Sequence, residues 1–310
     1  MAERTTARTT DAARPPEFEQ GSELVTPVVA WYRTAARDLP WRRPDATPWA
    51  VMVSEFMLQQ TPVVRVLPVY EAWLDRWPTP AALAAEPAGE AVRAWGRLGY
   101  PRRAQRLHAA ASAIEEDFDG VVPDTYEDLA SLPGVGEYTA GAIASFAYKK
   151  RHIVLDTNVR RVLARAVSGV EYPAPSTTPA DRRIATALLP EQPADAAEWA
   201  AASMELGAVV CTARTPRCDE CPVASLCTWV AAGKPAYDGP PRRGQTYEGT
   251  DRQARGRLLA VLRDTHGSVP REELEAAWTR DVAQRERALS SLLADGLVVV
   301  LDGERFALAQ

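Results

Sequence analysis

Apolar residues in the first three quarters of the chain recur at helical spacing, with no run of strict alternation between Leu24 and about Trp229. Ala-rich amphipathic stretches cover Val25–Thr34, Ala50–Gln60, Val63–Trp77, Ala88–Leu98, Arg102–Phe118, Tyr138–Ala147 and Thr157–Ser168, with a shorter one at Tyr126–Ser131. Pro, Gly and Asp punctuate them, as helix ends require. The pattern predicts an all-α region of about ten helices.

The pattern changes after a Gly/Pro/Arg-rich stretch at 233–250, read as a linker. Gln253–Asp264, Pro270–Trp278 and Val282–Gly296 read as helices. Leu297–Leu301 and Arg305–Ala309 are short apolar runs around Asp302-Gly303, a hairpin turn. Three helices followed by a hairpin predict a small winged-helix-like α+β domain over 251–310. Residues 1–22, rich in Pro, Thr, Ala and Arg, are expected to be a disordered arm.

Composition alters this picture little. The chain has 310 residues, 46% of them hydrophobic and 25% charged, enough for a sizeable core. No apolar run is long enough to span a membrane, and the polar N-terminus lacks a secretory h-region, so an intracellular, cytoplasmic protein is expected. The net charge of −5 argues against a uniformly basic nucleic-acid binder and leaves room for a local basic face. Residues 251–310 carry nine Arg against ten Asp plus Glu, which favours a packing or partner role over independent DNA reading.

All four cysteines, Cys211, Cys218, Cys221 and Cys227, fall within 17 residues in the order C-x6-C-x2-C-x5-C. Disulfides are disfavoured in a reducing compartment. A structural zinc site fits four thiolates, but the unequal loops are wider than paired C-x2-C knuckles. They favour a [4Fe–4S] cluster, with zinc and free thiols as the alternatives.

Leu132-Pro133-Gly134-Val135-Gly136 lies between two helical stretches. Its glycines permit a tight turn, and the next helix starts with free N–H groups that suit a phosphate. This is the pattern of a helix–hairpin–helix, which grips DNA backbone without reading bases. Two acids stand out. Glu55 is the one charge in Val53–Thr61, and Asp156 follows Ile153-Val154-Leu155 at the N-cap of the helix from Thr157. Each alone is ordinarily a cap or a paired core acid. Together in one cleft they would suit glycoside chemistry, with one acid kept protonated and one carboxylate facing a developing cation. Three scattered histidines give poor support to a histidine-led mechanism, and no P-loop, dinucleotide or Ser-elbow motif is present.

The motifs SEFMLQQT (54–61), WGRLGY (95–100), LPGVGEYTAGAI (132–143), LDTNVRRVLAR (155–165) and ELGAVVC (205–211), running into the cysteine loop, give a resemblance to the bacterial adenine DNA glycosylases, the MutY family, within the helix–hairpin–helix superfamily of endonuclease III. The resemblance covers residues 24–230. It implies a two-lobed helical fold over 23–232, with a six-helix lobe at about 44–150 and a cluster lobe built from 23–43 and 151–232. It further implies duplex DNA as partner, adenine opposite 8-oxoguanine or guanine as target, base flipping, and a monomer acting on the nucleoid. By resemblance, Glu55 is the general acid that protonates adenine N7 and Asp156 stabilises the positive C1′ centre. Tyr138 and Asn158 position the sugar and carboxylates. Tyr138 stands where bifunctional relatives carry a Schiff-base lysine, which implies a monofunctional enzyme. Leu58, Gln60 and Tyr100 match residues that wedge into the helix, and Trp41 and Arg42 match residues near the flipped adenine.

Several positions depart from the family pattern. Pro101 replaces a second Tyr, Thr157 a Gly, and Ala201 a polar pocket residue. The segment after the linker is too short for the Nudix-like domain that reads the oxidised guanine in many relatives. A thymine mismatch glycosylase and a non-catalytic iron–sulfur DNA sensor remain as alternatives. Glu55 favours adenine, because a purine needs N7 protonation and thymine does not, and retention of both acids favours an enzyme.

Overall fold

The computed structural model describes residues 23–239 and 247–310. The predicted N-terminal arm and the centre of the predicted linker lie outside those residues. The described residues group into two compact units, one of residues 23–37 and 149–239, the other of 38–148 and 247–310.

In chain order the helices are α1 (Val25–Ala35), α2 (Pro48–Leu58), α3 (Val63–Arg76), α4 (Pro80–Ala84), α5 (Ala88–Trp95), α6 (Arg102–Asp117), α7 (Tyr126–Ser131), α8 (Glu137–Tyr148), α9 (Thr157–Ala166), α10 (Pro179–Ala187), α11 (Pro193–Val209) and α12 (Thr228–Ala231). The C-terminal region adds α13 (Asp251–Asp264), β1 (Val269–Pro270), α14 (Arg271–Ala277), α15 (Val282–Ala294), β2 (Val298–Leu301) and β3 (Arg305–Leu308). Side-chain caps set many of the starts. Thr47, Thr125, Asp156, Thr178, Thr250 and Asp281 each accept a backbone N–H from the first turn of the helix they precede.

In the larger unit, α2 is buried from Trp49 through Met57, so it runs through the core rather than along its edge. Trp73 packs edge-on against Trp77 and Trp95, with centroids 4.7 and 5.7 Å apart. Trp49 donates its indole N–H to the Trp77 carbonyl at 3.0 Å, which satisfies a polar atom deep in the core.

The C-terminal region shares this core. Leu258, Leu262, Phe306 and Leu308 belong to the same hydrophobic cluster as Trp73 and Leu107. Its three strands pair antiparallel in the order β1-β3-β2, with Val269 opposite Phe306 and Val298 opposite Leu308. The hairpin turns through positive φ at Gly303 (72°) and Glu304 (56°). β1, which the sequence pattern did not predict, is two residues long and exists only through its pairing with β3. Docking on α5 depends on Gly89. Its N–H donates to the Ala309 carbonyl at 2.7 Å, and an added Cβ would lie 2.4 Å from that oxygen. Arg93 of α5 donates to carbonyls at the end of α13, including those of Leu262 and Thr265. Gln105 of α6 donates to the Gly296 carbonyl at 2.6 Å.

The smaller unit has its own core of Val28, Val162, Leu163, Trp199, Leu206 and Trp229, among others. The Arg37 guanidinium grips the buried Glu205 carboxylate with two donors at 2.6 and 2.7 Å. Residues 233–239, read from sequence as linker, close onto this unit. Trp229 donates to the Pro235 carbonyl, and the Tyr237 amide donates to the Glu171 carboxylate at 2.7 Å.

Candidate active site and cysteine loop

The predicted site residues divide between the units. Glu55, Leu58, Gln60, Tyr100, Tyr138, the hairpin at 132–136, Trp41 and Arg42 belong to the larger one. Asp156, Asn158 and the four cysteines belong to the smaller.

Glu55 is 6% exposed near the end of α2, a helix in which Met52, Val53, Phe56 and Met57 are wholly buried. Tyr138 lies half-buried in the first turn of α8. Beyond Leu58, the backbone enters left-handed space at Gln60 (φ 56°), and Tyr100 does the same (φ 49°). Two non-glycine residues held in that region mark strain that the surroundings must enforce. Arg103, which sequence reading passed over, enforces it. Its buried guanidinium donates to the carbonyls of Phe56, Met57 and Gln59 on one side and of Gly99 on the other, and to the Thr61 hydroxyl at 3.0 Å. It also faces the Trp95 and Tyr100 rings at 5.3 and 5.4 Å. Burial pulls its pKa down to about 10. One arginine therefore ties the 58–61 loop to the 99–100 loop and leaves Tyr100 49% exposed.

The hairpin turns at Gly134, where φ is +80° and an added Cβ would meet the Arg106 Cβ at 2.6 Å. Glycine is needed there for both reasons. Gly136 has open space where a Cβ would sit. The Leu132 and Val135 side chains are buried, so Val135 can meet a ligand only through its backbone. Trp41 is also buried, edge-on to Tyr70 at 5.1 Å.

Asp156 caps α9 as its sequence context predicts. One carboxylate oxygen accepts the Val159 N–H at 2.7 Å and the other accepts the Asn158 side-chain amide at 2.7 Å. Desolvation raises its pKa above the ordinary carboxylate value. The two hydrogen bonds and the nearby Arg161 charge oppose that rise without cancelling it. The Asn158 side-chain oxygen Oδ1 in turn accepts from Arg161 at 2.8 Å. Arg161 also donates to the Gly207 carbonyl at 2.6 Å and the Cys211 carbonyl at 2.7 Å. Gly207 is required where α11 meets α9, since an added Cβ would lie 2.7 Å from the Asn158 carbonyl oxygen. A continuous hydrogen-bonded path thus joins Asp156 to the start of the cysteine loop. Arg161 gave no sequence signal, because its partners are about 50 residues away.

The loop folds through two short 3-10 turns, Cys218–Glu220 and Ala224–Leu226. All four cysteines line one hollow, walled otherwise by residues such as Val210, Ala224, Trp229 and Val230. Among the described residues no three His, Cys, Asp or Glu gather closely enough for a single metal ion. Four thiols around one hollow provide the donor set of an iron–sulfur cluster. Burial pushes the Cys221 thiol up to about 11 and raises Cys227 as well, so stable thiolates here require bound positive charge.

Comparison with known proteins agrees with this donor set. Residues 211–227 match the iron–sulfur binding domain of endonuclease III, and residues 53–183 match the HhH-GPD superfamily of base excision DNA repair proteins. The four cysteines hold an iron–sulfur cluster. An adenine DNA glycosylase of Mycobacterium tuberculosis is 56% identical over 283 residues, covering 91% of this chain and 92% of that protein, a span too long to exclude the C-terminal region. A human adenine DNA glycosylase is 43% identical over 208 residues, 64% of this chain and 38% of that protein. Among solved structures, a non-covalent endonuclease III–DNA complex superposes with a TM-score of 0.59 at 21% identity, over 70% of this chain and 97% of that one, a likeness of fold. No helix among the described residues is long and apolar enough to cross a membrane. The chain belongs to the adenine DNA glycosylase family, base excision repair enzymes that hydrolyse N-glycosyl bonds.

Proposed function

We propose that this chain is a monofunctional glycosylase that removes adenine paired with 8-oxoguanine or guanine in duplex DNA, acting as a monomer in the cytoplasm. The observation that carries the substrate is the 56% identity to an adenine DNA glycosylase over nine-tenths of the chain. The thymine-DNA glycosylase of Aeropyrum pernix is 37% identical over 65% of the chain, a weaker likeness.

In this reading the target adenine is drawn out of the stack. Glu55 delivers a proton to N7, and the base departs with the electron pair of the C1′–N9 bond. Asp156 faces the positive sugar centre, and its anchoring by Val159 and Asn158 fixes its orientation before reaction. Water adds at C1′ and loses its proton to the Glu55 carboxylate, which restores the acid. Tyr138 orients the sugar and offers no amine, so no Schiff base forms and the strand stays intact. The exposed Tyr100, with Leu58 and Gln60, fills the space the base leaves. The hairpin at Gly134–Gly136 and the start of α8 hold backbone phosphate. Trp41 supports the pocket from within the core, and Arg42 contacts the nucleotide. The cluster's part is to keep the cysteine loop folded, and no bond changes on it.

A base-release assay on duplexes with adenine opposite 8-oxoguanine, adenine opposite guanine, and thymine opposite guanine tests this directly. Free adenine from the first two, without strand cleavage, is the expected result. Release of thymine alone would replace the substrate, and binding with no release would favour a sensor.

A further inference from the structure

Arg165 is 1% exposed, in the last turn of α9, and its hydrogen-bond acceptors are three backbone carbonyls and one cysteine sulfur. It donates to the Glu171, Thr212 and Ala213 carbonyls at 2.9, 2.8 and 3.1 Å and to the Cys211 sulfur at 3.3 Å. Its own carbonyl faces the Cys227 sulfur at 3.6 Å. The Trp229 and Tyr172 rings face the guanidinium at 4.9 and 5.7 Å. No carboxylate pairs with it among the described residues, whereas the buried Arg160 on the same helix faces Asp181 at 3.0 Å. A charge taken out of water without a counter-charge is costly. The group that can supply one lies on the other side of the Cys211 sulfur, where four thiolates carry more negative charge than an iron–sulfur core offsets.

We propose that Arg165 is the fixed counter-charge of the cluster and sets its reduction potential and its resistance to oxidative loss. A positive charge donating a hydrogen bond to a ligating sulfur favours the electron-richer state of the cluster, so its removal lowers the potential and eases oxidation. The two aromatic rings keep the guanidinium pointed at the sulfur and keep water away from it.

The test compares full-length protein with Arg165→Met, which removes the charge, and Arg165→Lys, which keeps it but loses the forked set of carbonyl contacts. Reduction potential is read by voltammetry, and iron loss is followed by absorbance and iron content under hydrogen peroxide. R165M is expected to lose iron at least about tenfold faster and to shift the potential negatively by at least about 59 mV, one decade for a single electron. R165K is expected to stay near the parent in both. Equal iron loss in the two variants, with the parent potential in the clusters that remain, would reduce Arg165 to a loop brace and overturn the proposal. If R165M takes up no cluster on anaerobic reconstitution, R165K decides the matter: a loaded cluster at the parent potential supports the charge, and an equally unloaded protein contradicts it.

Discussion

Glu55 and Asp156 are both withdrawn from solvent, but they stand at different places in their helices. Glu55 sits in a helix buried along its length among Met, Phe and Val. Asp156 sits at a helix start, with two hydrogen bonds on its carboxylate and Arg161 behind them. At Asp156 desolvation favours the neutral acid, and the two hydrogen bonds and the Arg161 charge pull it part of the way back towards the anion. In the proposed mechanism the anchored Asp156 takes the role that needs a carboxylate of fixed orientation, cation stabiliser, and Glu55 that of proton donor.

Glu55→Gln should have the largest effect. Excision is expected to fall roughly ten-thousand-fold, the upper range for a lost general acid, with duplex binding retained; single-turnover adenine release together with a gel-shift titration checks this. Asp156→Asn should lower the rate by roughly a hundred- to a thousandfold through lost charge stabilisation. The same change should not lower the melting temperature. A carboxyl group whose folded pKa is raised contributes stability at low pH and loses it as pH rises through that pKa, so at neutral pH the ionised Asp156 costs stability that Asn, also a good cap, avoids.

Arg161→Gln perturbs Asp156 through Asn158 and should cost about ten- to a hundredfold in rate, the scale of a small misplacement of a catalytic group. The lost positive charge should also move the acid limb of the single-turnover pH profile to higher pH, since Arg161 helps hold Asp156 ionised. An unmoved limb with a lower rate would leave Arg161 a purely structural role. Smallest for catalysis should be Gly89→Ala, at the seam with the C-terminal region. It should destabilise the fold by about 1–3 kcal/mol, as overpacking does, with single-turnover excision near the parent rate; denaturant melts beside the rate separate the two.

Much of this was legible in the sequence because it is local. The helix at 126–131, the cap at Asp156, the hairpin turn beyond Leu301 and the spacing of the cysteines depend on near neighbours and on helical or strand period. The clamps were not legible. Arg103, Arg161 and Arg165 look like any exposed arginine of an amphipathic helix until the fold brings carbonyls from elsewhere in the chain around them. Gly89 likewise reads as an ordinary helix-start glycine, and only the Ala309 carbonyl explains it. The C-terminal helices and hairpin were readable, but their fusion with the core of the larger unit was not, because it rests on long-range apolar contacts among residues such as Leu258, Phe306 and Leu107.

The central claim is that both carboxylates act in a single bond-breaking step. The direct measurement is the single-turnover rate of adenine release from a duplex with adenine opposite 8-oxoguanine, for Glu55→Gln, Asp156→Asn and the double variant. The account predicts that each single change lowers the rate by at least about a hundredfold with duplex binding intact, and that the double variant is hardly slower than the slower single. A near-parent rate in either single variant would contradict it.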